Sequence, residues 1–431
     1  MGYRGNITRF YAFVALTEAL LWMPVWVVFF ARRGLSLSQI GVLELVTMLL
    51  LAAAEVPTGA VADTWGRKAS MALGAALHGL ALLGLLAGVL SPLFLLAYAL
   101  WGTSLSFISG ASDAFAYDSL KADGRADDFA HVASRAAVLR KAATGLSGVV
   151  GGLVGAYDLR LCFVLTALAC FAAAAVILTG REPPSGEAAE GPRAGYRATL
   201  AQGVRIAVGR PRVRSVVLLG ATVNLYAILL TMTAFQPYAK EVGLPLWTFG
   251  GVLLSVQVCG IGGAHLSPRL AGRFGRDRLF VLAPLAIAGV QVLLWLGASR
   301  PAVALFAAAA ALGGAVQPVL AAALHDAIPS RQRATVVSLQ SLLVMLGLGP
   351  IQLGLLAVGE RTSVALAVGL AGLLMAALAA PVLALLTGSP AEPAAPARAI
   401  AEEETLATAR ARPPPPNARS FPHISAHSRP R

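Results

Sequence analysis

Long apolar runs recur along the chain near residues 10–31, 38–62, 69–90, 92–117, 133–157, 159–180, 213–238, 246–270, 278–298, 301–325, 333–357 and 361–387, separated by short clusters of charge, glycine or proline. A helix rises 1.5 Å per residue, so a run of roughly 20 residues matches a ~30 Å hydrocarbon core. The pattern therefore predicts an all-α membrane protein with twelve transmembrane helices. No run alternates with a period of two, so strands are not expected.

The runs fall into two sets of six. Residues 1–180 predict an N-terminal bundle and 213–387 a C-terminal one, joined by a cytoplasmic linker over 181–212 that contains Glu182-Pro183-Pro184 and a string of arginines. Within the linker, Tyr196 to Val208 is expected to form a short surface helix. The two sets look like repeats at an offset of 209 residues, as where Ile40-Gly41-Val42-Leu43 faces Phe249-Gly250-Gly251-Val252-Leu253, and Tyr117-Asp118 similarly matches His325-Asp326 one residue out of that register. Such a duplication around a linker is the pattern of secondary transporters, which hold substrate near the midplane between the halves. Residues 388–431, with Pro413 to Pro416, have too little apolar content for a core and are expected to be a disordered cytoplasmic tail.

Composition agrees with a polytopic membrane protein: 57% of residues are hydrophobic, 13% are charged, and mean hydropathy is +0.73. The net charge of +13 would suggest nucleic acid for a soluble chain, but its placement points to topology instead. More than four-fifths of the 34 lysines and arginines fall in the N-terminus, the loops after even-numbered helices and the tail. By the positive-inside rule both termini are cytoplasmic, and a multi-pass protein of the cell (inner) membrane is expected. Cys162, Cys170 and Cys259 lie in apolar runs without metal-ligand spacing, so no metal or cofactor is predicted.

Between the second and third runs stands Gly59-Ala60-Val61-Ala62-Asp63-Thr64-Trp65-Gly66-Arg67-Lys68. Its spacing, Gly59-x-x-x-Asp63-x-x-Gly66-Arg67-Lys68, resembles the loop motif of the major facilitator superfamily. Glu55-Val56-Pro57-Thr58-Gly59 and the stretch from Ser109-Gly110 to Leu120 resemble a bacterial branch often assigned to drug or metabolite efflux. The resemblance spans roughly residues 8–387. It implies that Asp63 and Arg67 form a conformational latch at the loop, with Asp118 as a partner for the arginine. The second half has Gly272 where the acid would stand, and helix four carries Tyr98, Trp101 and Gly102 where many proton-coupled members have an arginine.

Ionisable side chains inside spans cost about 2.5–3.5 kcal/mol on insertion scales and are functional candidates for that reason. Glu18, halfway along the first run, is expected to share a helical face with Tyr11 and Trp22 and to bind a proton or cation. Glu44 and Glu55, three helical turns apart in the second run, are further candidates. Arg135, Arg140 and Lys141 read as positive-inside anchors. Asn224, Thr231 and Phe235 on one face of helix seven, with Gln257 and Gln317, are candidate cavity walls. Pro24, Pro237, Pro318 and Pro350 predict kinks.

The functional expectation is a secondary active transporter that exports small, partly apolar organic molecules by alternating access, with protons as a candidate coupling ion. An importer of nutrients on the same fold is the alternative. A membrane enzyme or receptor ranks lower, since no nucleophile accompanies His325-Asp326. The expected partners are a small organic substrate and the lipid bilayer, with no nucleic acid, and the protein is expected to be a monomer.

Overall fold

The computed structural model describes residues 3–184, 209, 211–328 and 333–388. All regular structure among them is helical. The first six runs give α1 (Arg4–Thr17), α2 (Trp26–Arg32), α3 (Leu37–Trp65), α4 (Arg67–Gly84), α5 (Pro92–Ala122), α6 (Phe129–Tyr157) and α7 (Leu159–Leu178). The remainder give α8 (Pro211–Ile228), α9 (Phe235–Glu241), α10 (Phe249–Phe274), α11 (Arg276–Leu296), α12 (Ala304–Ala327), α13 (Arg333–Arg361) and α14 (Val364–Gly388). Nine helical stretches among the described residues are long and apolar enough to cross a membrane. The described helices up to Thr387 form one compact unit. The tail from residue 389, the linker residues 185–208 with their expected surface helix, and the side chains of Glu55, Gly59, Asp63 and His325 lie outside those described.

Local chemistry sets the helix starts. Ser36 opens α3 with a capping box: its hydroxyl accepts the Gln39 N–H at 3.2 Å, and Gln39 Oε1 accepts the Ser36 N–H at 2.9 Å. Ser91 caps α5 at the Phe94 N–H, with Pro92 in the first turn where a missing N–H costs nothing.

The duplication is visible in the backbone. α3 spans 37–65, and 209 residues on, a 3₁₀ turn beginning at Leu246 leads into a helix ending at Phe274. Each stretch ends on a glycine of positive φ: Gly66 at φ 94°, ψ 157° and Gly275 at φ 81°, ψ 151°. That region is closed to residues with a Cβ, which is why both chain reversals use glycine. The two sets meet where α3 packs along α13 and α6 along α10. A Cβ on Gly250 would collide with the Gly148 carbonyl oxygen, so α6 and α10 approach backbone to backbone. At the same end, the Glu360 carboxylate of α13 accepts the Ser38 N–H in the first turn of α3 at 2.7 Å.

Two of the expected helices are not continuous. The first run is broken over residues 18–25 rather than kinked at Pro24. Pro24 has no N–H and its ring crowds the carbonyl of Leu20, while the Thr17 hydroxyl donates to the Phe13 carbonyl at 2.9 Å and competes for that turn. In the seventh run the turn Leu229–Ala234 is π-helical. It ends three residues before Pro237, whose ring would clash with the carbonyl four residues back, so the wider turn relieves that clash. The break and the π turn occupy corresponding places in the repeat. By contrast, α12 and α13 run continuously through Pro318 and Pro350.

Candidate functional site

Residues 18–25 expose backbone groups that cannot be left unpaired at membrane depth. Three helices supply their partners. The Leu21 N–H donates to Thr166 Oγ1 of α7 at 3.1 Å, and Ser147 Oγ of α6 donates to the Glu18 carbonyl at 3.3 Å. Gln236 of α9 makes two bonds: its Oε1 accepts the Val27 N–H at 2.9 Å and its Nε2 donates to the Met23 carbonyl at 2.8 Å. Gln236 is 1% exposed and stands 209 residues from Val27, so positions that correspond in the repeat are bonded to each other.

Beside the break lies a cavity of about 380 Å³. Glu18 is on its wall, and its carboxylate is held by Arg140 Nη1 and Thr144 Oγ1 of α6, each at 3.1 Å. Glu44 of α3 also lines it and accepts the Tyr98 hydroxyl of α5 at 2.7 Å. His78 of α4 lines it too, with Nδ1 3.2 Å from Ser104 Oγ. Because Ser104 donates its only proton to the Trp101 carbonyl at 2.7 Å, His78 Nδ1 is assigned as the donor, which leaves Nε2 as an acceptor. Trp22, Trp26 and Trp101 form the aromatic wall, with Trp22 and Trp101 edge to face at 5.4 Å. Met232 and Gln352 face them from the second set of helices, and Gln352 Nε2 donates to Thr233 Oγ1 of the π turn. A smaller cavity of about 60 Å³ shares Met23 and Met232 with the first and is lined by Thr144, Thr231 and Gln257.

Of the residues singled out in the sequence, Glu18, Glu44 and Trp22 line the larger cavity and Thr231 and Gln257 the smaller. Tyr11 does not: it packs against Phe10 at 5.8 Å, and the break removes the shared face expected of Tyr11, Glu18 and Trp22. Asn224 and Gln317 are half-buried away from both cavities. Phe235 is 1% exposed, packed at 5.3 Å on Phe249 and 5.6 Å on Phe306. The extra residue of the π turn rotates the rest of the helix by about 100°, which carries Phe235 off the face of Thr231. Arg140, read as an anchor, is instead the partner of Glu18. Trp26, Met48, His78 and Met232 gave no cavity signal in sequence, because an aromatic residue, a methionine or a lone histidine in an apolar run reads equally well as packing, whereas Gln352 stands out there as an amide.

At the other candidate region, Arg67 Nε pairs with Asp118 Oδ2 at 2.8 Å. The loop is also held by Glu182, just after the α7 end, whose carboxylate accepts the Arg67 and Lys68 backbone N–H groups at 2.6 and 3.0 Å. An anion there offsets the positive end of the α4 dipole. Gly66 serves this approach as well, since a Cβ would come within 2.8 Å of the Glu182 carboxyl. Lys68 Nζ donates to the Gly180 carbonyl at 3.2 Å. The repeat has a counterpart pair, Arg276 Nη1 to Asp326 Oδ2 at 3.0 Å.

No curated protein matches the chain by sequence. Solved structures do match by fold. The nucleoside transporter NupG superposes with a TM-score of 0.72 at 12% identity, covering 89% of this chain and 99% of that one. A bacterial homologue of the human lysosomal transporter Spinster, in an inward-facing and unoccupied conformation, gives 0.68 at 16% identity over 91% and 99%. A D-xylose–proton symporter gives 0.61 at 16% identity over 90% and 100%. At these identities the likeness is one of fold. The family model for the Major Facilitator Superfamily matches residues 10–349. A membrane-transporter fold, an all-helical chain and a match over most of its length lead to one conclusion: the chain belongs to the major facilitator superfamily.

Proposed function

We propose that the protein is a secondary active transporter that exports small, partly apolar organic molecules by alternating access, with protons as the coupling ion. The observation that carries this reading is the cavity beside the broken first segment, where Glu18, Arg140 and Thr144 meet residues of α8–α9 and α13 across the two sets of helices. Residues 1–180 and 213–387 rock against each other about this cavity. In the topology expected from the positive charges, the Gly148–Gly250 and Ser38–Glu360 contacts close the outer end. Arg67, Lys68 and Asp118, with Asp63 of the same loop, act at the inner end as the latch. The protein works as a monomer in the cell (inner) membrane with both termini cytoplasmic.

Glu18 is the first candidate for the coupling proton, because its carboxylate is half withdrawn from water yet reachable from the cavity. In proteoliposomes with an imposed pH gradient, a compound screen is expected to show gradient-driven movement by the natural protein. Glu18→Gln is expected to abolish that component while the protein elutes as a folded species. Undiminished proton-driven transport by Glu18→Gln would remove Glu18 from the mechanism. Uptake rather than extrusion of the same compound in cells would favour the importer reading, to which the sugar–proton symporter of the same fold lends support.

A further inference from the structure

Most charged or titratable groups on the wall of the larger cavity are answered by the protein. Glu18 has Arg140 and Thr144, and His78 Nδ1 has Ser104, while its acceptor Nε2 has no partner among the described residues. Glu44 is different. It is 5% exposed, its Oε1 accepts the Tyr98 hydroxyl, and its Oε2 makes no hydrogen bond to a described residue. Among the described residues no lysine or arginine pairs with it, since Arg140, the only such residue on this wall, is engaged by Glu18, and His78 stands there with Nε2 assigned as an acceptor. A carboxyl so placed calls for a positive charge or a proton.

Its surroundings favour an organic cation. Trp22, Trp26 and Trp101 line the same cavity, and the negative faces of indole rings attract cationic groups. Tyr98, which holds Glu44, contacts Trp101 at 5.8 Å, so the carboxyl and the aromatic wall are one assembly. Met48 and Met232 add polarizable apolar surface that adapts to varied shapes. An anionic cargo would meet Glu44 without a free base to offset it.

We propose that the cavity takes an organic monocation with an apolar or aromatic body, its charge set against the free oxygen of Glu44 and its body against the tryptophans. The proposal rests on the transporter reading only in placing the cargo in this cavity. The volume, about 380 Å³, lies in the range of sites for drug-sized molecules.

The probe is radiolabelled tetraphenylphosphonium, with tetraphenylborate as its anion of matching shape, and the protein is the purified full chain in detergent. Saturable binding of the cation is expected, and none of radiolabelled tetraphenylborate assayed alone, the two ions being kept apart because they pair with each other in solution. Glu44→Gln is expected to weaken binding at least tenfold, and Glu44→Asp to retain most of it, which separates loss of charge from loss of fold. No saturable binding to the natural protein, equal affinity in Glu44→Gln, or binding of the borate alone with comparable affinity would overturn the proposal. Gradient-driven movement of uncharged compounds alongside any of these results would leave the transporter reading standing, and its absence for every compound would count against that reading instead.

Discussion

Two ion pairs occupy corresponding places in the repeat and differ in burial. The Asp118 side chain is 9% exposed beneath Arg67, whereas Asp326 and Arg276 are 67% and 57% exposed. An exposed pair is screened by solvent and salt and contributes roughly 0–1 kcal/mol. Asp326→Asn is therefore expected to leave thermal stability in detergent almost unchanged. Asp118→Asn removes the carboxylate that draws in Arg67 and is expected to cost at least about 1 kcal/mol. Equal melting shifts for the two variants would contradict this ranking. The Arg67–Asp118 pairing was legible in the sequence because the loop motif carries Arg67 and the family resemblance implies Asp118, at the end of helix four, as its partner. Glu182 was not, since it sits in what reads as a linker and acts through backbone N–H groups, which leave no side-chain pattern. Glu18 and Glu44 stood out as carboxyls in apolar runs. Arg140 was hidden by an adequate simpler explanation, the anchoring of helix ends by basic residues.

At the level of elements, the spans themselves were legible because bilayer thickness imposes a length on every one of them. The break at 18–25 was not. Its residues are as apolar as those of a continuous helix, and the groups that make a break tolerable, Thr166, Ser147 and Gln236, lie 145, 129 and 213 residues away from their partners. The π turn is equally silent in hydropathy, yet it decides which face Phe235 occupies. Gln236 is the most economical test of this arrangement, for one side chain satisfies both a donor and an acceptor of the first segment. Gln236→Leu leaves the Val27 N–H and the Met23 carbonyl without partners, at about 1–3 kcal/mol each. Since those bonds join the two sets of helices, the arrangement seen here is expected to lose population by tenfold or more. Labelling of Cys170, which lines the cavity and is 1% exposed, by a membrane-impermeant maleimide added outside is expected to rise accordingly in a chain with Cys162 and Cys259 replaced by serine. Unchanged labelling would show that Gln236 does not hold the outer end shut.

For the whole molecule, the duplication is most apparent where it is imperfect. Glycines of positive φ recur at 66 and 275, and the first helix of each set is disrupted at matching positions. The charged chemistry of the cavity does not recur: Glu18, Glu44, His78 and Arg140 all come from the first set, while the second offers Ile228, Met232, Leu348 and Gln352. The first set thus holds the groups that can exchange a proton or a charge, and the second supplies a mainly apolar wall opposite them. This division was partly legible, since the acids of the first half and the amides of the second were evident in order along the chain. Their convergence on one cavity was not, because it depends on α3 meeting α13 across the interface.

The aromatic wall also makes the protein its own optical probe. The chain has six tryptophans, and Trp22, Trp26 and Trp101 surround the cavity. Trp65 and Trp247, at 67% and 58% exposed, supply a background remote from it. Filling the cavity changes the surroundings of half of the indoles at once, so emission is expected to shift or to be quenched in proportion to occupancy. Trp22→Phe with Trp101→Phe is expected to remove most of that change, and its persistence would mean that the signal arises elsewhere. An unlabelled chain in detergent thereby reports its cargo in real time, and a compound library can be screened by light alone.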